Sequence, residues 1–569
     1  MEYAQGHEME ALVCSAGSQI LVLREIRRSL LGIHAQAGQF NVGVFEGYQT
    51  RKSVVFGVYQ SGISVFFKGS QTRKSVVFEM CQSGISVIFE DSQTRKSVVF
   101  IWLLSGKSVI LWRNQIEKSV MLKRKIQKVL HDYFSSESSK VLLLDGARQI
   151  GKSFIIRHEA KKFFKNYIEI NFLEDKNGEK LFAGISTVKD FYLKLSVFAG
   201  GKMGDKKNTI VFLDEIQAYP ELLTLLKFLK DDDRFTYIAS GSLLGVTLNK
   251  TLSKPGGRIQ KVKMHPLDFE EFLWANGVGE DVVTHMKVQY SKEESLDEGL
   301  HKKILDLFKK YMLIGGLPDA VNAFIATNNI VEVRAIHDEI YELYKGDASQ
   351  YDDENSLKIK RIYEMIPSNM ENKKKRLRYS EIENRKGKRS SDYEAELEYL
   401  VSSGISLEVL SVSNPKFPLR ESEQKTLIKL YLNDVGLLTN LLYRYNINAV
   451  LSADNSINLG AVYETVVAQE LVAHGYALRY YDNKTKGEVD FLVDDYDALS
   501  VLPIEVKSGK DFRRHRALDK FVDIDDYHIK SAIVFSNDGS VERNGKVVYM
   551  PVYYAMFMVP STPESFLIP

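Results

Sequence analysis

Between residues 121 and 275, short runs of apolar residues alternate with stretches of helical spacing. The mostly apolar runs at 141–144, 209–213 and 235–239 predict buried strands of a parallel sheet, and residues 166–172 predict a further strand. The stretch from Met121 to Phe134 carries apolar residues at helical intervals, and the stretch at 154–164 is compatible with a helix. This alternation predicts an α/β core.

The first of these strands leads into a glycine-rich loop. Residues 146–153 read Gly-Ala-Arg-Gln-Ile-Gly-Lys-Ser, which fits the phosphate-binding pattern G-x-x-x-x-G-K-S between a strand and a helix. We expect Lys152 to reach the β- and γ-phosphates of ATP and the Ser153 hydroxyl to ligate Mg²⁺. The predicted nucleotide-binding residues are Gly146, Ala147, Arg148, Gln149, Ile150, Gly151, Lys152 and Ser153.

Two later strands end in polar residues that suit the same site. The strand at 209–213 is followed by Asp214 and Glu215. We expect Asp214 to act with Mg²⁺ and Glu215 to orient or deprotonate the attacking water. The next strand ends at Ser240 and Ser242, and each serine is either a γ-phosphate contact or an ordinary strand cap.

These motifs resemble a known family. The loop at 146–153, Phe-Leu-Asp-Glu-Ile-Gln at 212–217, His-Pro-Leu-Asp-Phe-Glu-Glu-Phe at 265–272 and Gly-Gly-Leu-Pro-Asp at 315–319 are similar to prokaryotic AAA-type ATPases with a C-terminal DUF4143 domain. The resemblance covers residues 121–569 and implies hydrolysis of ATP to ADP and phosphate. It also makes Arg258 a candidate γ-phosphate sensor, with a plain surface arginine as the alternative.

The middle of the chain is predicted to be helical. After an ATPase core at 121–275, residues 276–350 suit the helical lid of the family, with a break at Gly315, Gly316 and Pro318. Residues 351–429 give a helix-helix-helix-strand order, which is typical of a winged helix. Its stretch 373–389 holds nine lysines and arginines and two glutamates, which indicates either a DNA-phosphate contact or a solvated loop.

The C-terminal segment, 430–569, carries the pattern of PD-(D/E)xK nucleases and their inactive relatives. An amphipathic helix is predicted around Glu464, and two strands carry Asp490 and then Glu505 and Lys507. Physically, Glu464, Asp490 and Glu505 could ligate a divalent metal while Lys507 activates a water. The predicted fold class is therefore α/β, with an AAA-type core, a lid, a winged-helix-like segment and a nuclease-like α/β domain.

Residues 1–120 are a different kind of sequence. Gln-Thr-Arg-Lys-Ser-Val-Val-Phe occurs at 49–56, 71–78 and 93–100, which is a period of 22 residues. One interpretation is a short β-solenoid. We favour the other, a translated tandem DNA repeat upstream of Met121, and we expect a non-native or disordered extension.

Composition limits the kinds of partner and the cell compartment that we expect for this protein. With 76 basic and 74 acidic residues the net charge is +2, so any nucleic-acid surface must be local. No signal peptide or membrane span is predicted, and the two cysteines form no disulfide framework, so we expect a cytoplasmic protein. Two hypotheses follow: an ATP-driven machine acting on DNA or RNA, or an ATP-dependent switch that binds a protein partner on an inactive nuclease-like scaffold. Oligomerisation stays open.

Overall fold

The structure is a computed structural model. It describes the backbone of seven strands between residues 44 and 113, and then residues 121–242, 244, 257–347, 355–452 and 457–561. Two compact units divide the chain, one up to Ser119 and one from Val120. Residues 1–43 and 114–120, with Cys14 and the predicted end of the repeat tract, lie outside the described residues, as does the predicted boundary at 350/351.

The repeats form an antiparallel sheet. Its strands are β1 Val44–Glu46, β2 Lys52–Tyr59, β3 Gly62–Gly69, β4 Lys74–Cys81, β5 Gly84–Asp91, β6 Thr94–Leu104 and β7 Lys107–Arg113. Neighbours in the sheet follow chain order, and every pair is antiparallel. A solenoid would stack its coils in parallel, so the solenoid interpretation is wrong. The interpretation as a non-native extension stays a prediction.

The second unit begins with a parallel sheet. Its strands are β8 Val141–Asp145, β9 Asn166–Asn171, β10 Thr209–Asp214, β11 Thr236–Gly241 and β12 Ile259–Lys263. Their order is β12-β8-β11-β10-β9, and all pairs are parallel. The carboxyl ends of β8, β10 and β11 therefore meet at one edge, which is where a ligand binds in open α/β sheets.

Helices cover both faces of this sheet. They are α1 Ile126–Ser135, α2 Lys152–Phe163, α3 Phe172–Asn177, α4 Val188–Ala199 and α5 Pro220–Asp232. Alternate residues of β8 enter different cores: Leu142 and Leu144 lie in one hydrophobic cluster, and Val141 and Leu143 lie in another. Because both faces are buried, the strand is apolar throughout, which confirms the predicted α/β class.

A helical layer follows the sheet. It consists of α6 Phe269–Ala275, α7 Glu280–Lys292, α8 Glu298–Ile314, α9 Pro318–Thr327 and α10 Ile330–Asp347. Helix α8 ends at Gly315, whose φ of 71° lies in the left-handed region that glycine adopts at little cost. Pro318 is at the first turn of α9, where its missing N–H costs nothing.

The segment that the sequence predicts as a winged helix joins the last sheet. Helices α11 Ser356–Glu371, α12 Tyr379–Ile382 and α13 Glu394–Ser402 precede the antiparallel pair β13 Ser406–Val412 and β14 Glu423–Leu432. Strand β13 also pairs with the sheet that follows. The predicted boundary between residues 429 and 430 falls inside β14, and the hairpin of β13 and β14 is part of the C-terminal sheet.

The C-terminal sheet has eight strands in the order β14-β13-β15-β16-β17-β18-β20-β19. The remaining elements are α14 Val435–Tyr443, α15 Ile447–Ser452, α16 Gly460–Ala473, β15 Arg479–Asn483, β16 Gly487–Asp495, β17 Ser500–Val506, α17 Arg516–Val522, β18 Ala532–Ser536, β19 Glu542–Asn544 and β20 Val547–Pro551.

Helix α16 is buried on all sides. Every residue from Ala461 to Leu471 is buried, because α16 lies between α8 and α14 on one side and β13, β14 and β17 on the other. The expectation of an amphipathic helix was therefore wrong. One hydrophobic cluster, from Leu122 to Met558, joins the parallel sheet, the helical layer and the C-terminal sheet.

Candidate active site

The glycine-rich loop connects β8 to α2 at the crowded edge of the parallel sheet. Gly146 has a φ of 153°, and a Cβ there would lie 2.3 Å from the carbonyl oxygen of Met264. Gly151 has a φ of 89° and immediately precedes α2. Only glycine meets both demands without strain, so the loop can curl tightly around an anion at the start of the helix.

Lys152 is buried within this loop. Its ammonium donates hydrogen bonds to the carbonyl oxygens of Gly146, at 2.9 Å, and Ala147, at 2.6 Å. Burial lowers the pKa of Lys152, while the nearby Glu215 and Asp214 carboxylates act in the opposite direction. A cation held this close to the loop backbone suits a phosphate ligand.

Asp214 stands at the carboxyl end of β10, beside two hydroxyls. Ser240 donates a hydrogen bond to its Oδ1, and the Ser153 hydroxyl lies near enough to affect its ionisation. Burial raises the pKa of Asp214, and the Ser240 and Ser153 hydroxyls counteract that rise. A hydroxyl and a neighbouring carboxylate are oxygen donors of the kind that Mg²⁺ prefers, so the residues present fit this ion.

Glu215 follows with a left-handed backbone, at a φ of 53°, which is uncommon for a residue other than glycine. Its carboxylate accepts hydrogen bonds from the Gln217 amide and, at 3.2 Å, from the Ser242 hydroxyl. The Gln217 amide also contacts Ser242 Oγ at 3.2 Å. Sequence reasoning assigned no role to Gln217; the only signal was its place in the motif at 212–217.

The loop also contacts the helical layer. The Arg148 guanidinium forms an ion pair with Asp347 at the end of α10, and the Tyr344 hydroxyl donates to the carbonyl oxygen of Arg148 at 2.8 Å. Burial raises the pKa of Asp347 to about 6, although Arg148 opposes the rise. These partners are about 200 residues away in the chain, so no local pattern could predict them.

Arg258 lies away from this site. It immediately precedes β12, and its carbonyl oxygen accepts the N–H of Val141, the first residue of β8, at 2.8 Å. The five residues of β8 separate that end from the glycine-rich loop by roughly 15 Å. The guanidinium pairs with Asp231 at 2.7 Å, so Arg258 does not reach the glycine-rich loop of its own chain, and its γ-phosphate role stays a prediction.

The nuclease-like residues gather on the C-terminal sheet. Phe491 pairs with Ile504 across β16 and β17, which places Asp490 opposite Glu505. The Lys507 ammonium donates to Glu505 Oε1 at 2.6 Å. Burial and the neighbouring Asp490 raise the pKa of Glu505 to about 8. Glu464 on α16 is also close enough to contribute to this rise.

These carboxylates do not form a ligand set. Within residues 121–561 as described, the one group of three acidic or histidine side chains with ligand atoms within 4.8 Å of one another is Asp268, Glu470 and His474. Glu464, Asp490 and Glu505 are therefore neighbours, but they are not spaced as the metal ligands that the sequence suggested.

The strand order and the contents of the loop define a P-loop ATPase of the AAA type. The family model of the AAA domain matches residues 138–273, and the model of the DUF4143 domain matches residues 459–554. Residues 138–273 are therefore an AAA-type P-loop ATPase domain and residues 459–554 a DUF4143 domain, which are the two domains that the sequence motifs resemble. A third model, of the DUF8612 domain, matches residues 305–447 and so crosses the boundary predicted at 429/430.

Solved structures show distant similarity. The Walker-type ATPase PABY2304 of Pyrococcus abyssi is 16% identical, with 58% of this chain and 98% of that chain covered and a TM-score of 0.34. The Hsp104–ADP complex of S. cerevisiae is 13% identical, covering 60% of this chain and 43% of that chain, with a TM-score of 0.23. No curated protein matches the chain. No helix within the described residues is long and apolar enough to cross a membrane.

Proposed function

We propose that this protein binds Mg·ATP at the glycine-rich loop and hydrolyses it to ADP and phosphate. The observation that carries the proposal is the buried ammonium of Lys152, which donates hydrogen bonds to the carbonyl oxygens of Gly146 and Ala147 in the loop. The Ser153 hydroxyl and the Asp214 carboxylate would hold Mg²⁺, which neutralises charge on the phosphates. Lys152 would bind the β- and γ-phosphates, and Glu215 would orient the attacking water.

The same contacts support a switch that reads the nucleotide state. Arg148 lies inside the loop, yet it is held by Asp347 of α10. On the other side, a Cβ added to Gly404, just after α13, would lie 3.2 Å from the backbone nitrogen of Ala147. A ligand that moves the loop would therefore press on both the helical layer and the winged-helix-like segment. We infer that nucleotide binding changes the position of these elements relative to the parallel sheet.

Two outputs of such a switch are proposed, and different observations favour them. Action on DNA or RNA is favoured by Arg385 and Lys386, which are exposed in the basic stretch 373–389. Binding of a protein partner is favoured by the ion pairs of five other basic residues of this stretch, which leave their charge neutralised within the protein. Lys374, Lys375 and Arg376 pair with acids of the C-terminal domain, and Arg378 and Lys388 pair with glutamates of the stretch itself. The second output fits the geometry better.

An ATPase assay on the purified full chain tests the core of the proposal. Lys152→Ala should lower turnover by about 100-fold, because the ammonium at the phosphates is lost. Glu215→Gln should keep nucleotide binding and slow hydrolysis by about 100-fold. Lys161→Ala, an exposed lysine on the same helix α2, is the matched control and should leave turnover unchanged. Equal turnover in all four proteins would refute the assignment.

DNA binding separates the two outputs. If nucleic acid is the partner, the full chain should bind DNA with an affinity that falls steeply with salt, and replacing Arg385 and Lys386 by alanine should reduce the salt dependence. If DNA neither binds to the protein nor stimulates ATP hydrolysis, binding of a protein partner remains as the proposed output of the switch. A cytoplasmic location and an oligomeric state stay predictions, which cell fractionation and light scattering would test.

A further inference from the structure

One lysine of the basic stretch 373–389 contacts the nuclease-like centre, which is the set of Glu464, Asp490, Glu505 and Lys507. Lys375 lies between α11 and α12, and its ammonium forms an ion pair with Glu464 Oε1. The side chain of Lys375 is 15% exposed and that of Glu464 is 4% exposed, so the pair is almost fully buried. Glu464 Oε2 accepts a second hydrogen bond from the Tyr431 hydroxyl at 3.2 Å. Both oxygens of Glu464 are therefore engaged within the protein.

The backbone of the stretch is held in the position that this contact needs. Lys375 has a φ of 48°, a left-handed conformation that costs roughly 1 kcal/mol for a residue with a side chain. Two residues later, the Leu377 N–H donates to the carbonyl oxygen of Ile428 in β14 at 3.0 Å. Lys374 and Arg376, on either side, pair with Asp482. Three consecutive cations thus anchor the stretch to strand β15 and helix α16.

The other two carboxylates of the centre are engaged as well. Asp490 Oδ2 accepts the N–H of Val506 at 2.9 Å, and Glu505 Oε1 accepts from the Lys507 ammonium at 2.6 Å. Glu505 Oε2 is buried and has no hydrogen-bond partner in the described part of the chain. Two ammonium groups, from Lys375 and Lys507, therefore already pair with two of the three carboxylates.

A divalent metal fits this arrangement poorly. It would need oxygens about 2.1–2.6 Å from one point, whereas Glu464, Asp490 and Glu505 do not form such a set among the described residues. It would also add two positive charges beside two ammonium groups, which repel it. We propose that Lys375 occupies the cation position of the nuclease-like centre, which makes this centre a scaffold that takes no metal while the ion pair of Lys375 with Glu464 is formed.

Binding of Mn²⁺ to the full chain without nucleotide tests the proposal directly. Electron paramagnetic resonance would be recorded for the wild type and for Asp490→Asn. We expect the two proteins to bind Mn²⁺ equally, because Asp490 holds no metal in the wild type. Weaker binding in Asp490→Asn would overturn the proposal, and this readout needs no substitution of Lys375.

Substitution of Lys375 supplies the second test. Lys375→Met keeps the aliphatic stem and removes the charge, which leaves Glu464 buried without its cation. We expect the melting temperature of Lys375→Met to be about 5 °C below that of the wild type. The double variant Lys375→Met/Glu464→Gln should recover the lost stability. Addition of Mn²⁺ should raise the melting temperature of Lys375→Met and of no other protein in the set. Lys374→Met, whose side chain is 59% exposed and pairs with Asp482 at 3.4 Å, is the matched control with the same loss of charge.

The melting temperatures of these variants either support or overturn the proposed role of Lys375. A fall in melting temperature no larger for Lys375→Met than for Lys374→Met would overturn the proposal, and so would a Lys375→Met protein that Mn²⁺ does not stabilise. If Lys375→Met does not fold while the double variant with Glu464→Gln does, the buried pair is confirmed. If neither folds, the comparison of the wild type with Asp490→Asn decides alone.

Discussion

Asp434 accepts the backbone N–H of Gly316 at 2.6 Å, although 118 residues separate the two in the chain. The same carboxylate caps α14 by accepting the N–H groups of Gly436, at 2.9 Å, and Leu437, at 3.2 Å. Gly316 cannot be replaced, because a Cβ there would lie 2.0 Å from the carbonyl oxygen of Leu267. This contact ties the helical layer to the C-terminal half.

Asp434→Ala should therefore destabilise the protein by about 3 kcal/mol, because three buried N–H donors lose their acceptor. The matched control is Asp297→Ala, which removes the exposed cap of α8 and should cost about 1 kcal/mol. Urea unfolding followed by circular dichroism measures both. Equal losses in the two variants would show that the long-range contact of Asp434 adds nothing.

Gln217 should position Glu215 for hydrolysis, because its amide contacts both Glu215 and Ser242. Gln217→Ala should lower kcat roughly 10- to 100-fold, with KM for ATP little changed. Gln289→Ala, on the surface of α7, is the control. Steady-state kinetics at saturating Mg²⁺ gives both constants, and a change confined to KM would mean that Gln217 only helps to bind the nucleotide.

Stability should depend on the ionisation of Glu470. Burial and the neighbouring Asp268 raise the pKa of Glu470 to about 8, well above its value in an unfolded chain. Protonated Glu470 contributes fully to the free energy of unfolding below about pH 4.5, and this contribution is lost as the pH rises to 8. Relative to Glu470→Gln, which cannot ionise, the wild type should lose roughly 1 kcal/mol per pH unit across this range.

Urea midpoints at pH 5, 6, 7 and 8 measure this difference. The exposed Glu339→Gln on α10 is the control, and its curve should run parallel to that of the wild type. If Glu470→Gln also runs parallel to the wild type, Glu470 does not change its ionisation on folding. Retention of the hydrogen bond from Phe269 N–H to Glu470 Oε1, at 2.7 Å, is expected in the glutamine variant, since an amide oxygen accepts it equally well.

A chain that starts at Met121 should fold and hydrolyse ATP at least as fast as the full chain. The buried clusters of the described residues lie between Leu122 and Met558, and the second compact unit begins at Val120. Circular dichroism, size-exclusion chromatography and turnover per mole would compare the two chains. A shortened chain that is unfolded or inactive, beside an active full chain, would mean that the repeats are structural.

The sequence by itself determined what depends on neighbours along the chain. The loop at 146–153 follows from glycines at fixed spacing between a strand and a helix, and Asp214 follows from the end of an apolar run. The break at Gly315, Gly316 and Pro318 separates α8 from α9, because these residue types end one helix and begin the next.

Tertiary structure alone decided what depends on packing between distant segments. The ion pairs of Arg148 with Asp347 and of Lys375 with Glu464 join residues 199 and 89 apart. The motif gives the position of Arg258 in the chain but not the end of the sheet at which it lies, so only the fold shows that it is remote from the loop. Hydrophobic spacing predicts one buried face for helix α16, and so an amphipathic helix. The structure buries all of its faces, including Glu464, because other elements pack against it on every side.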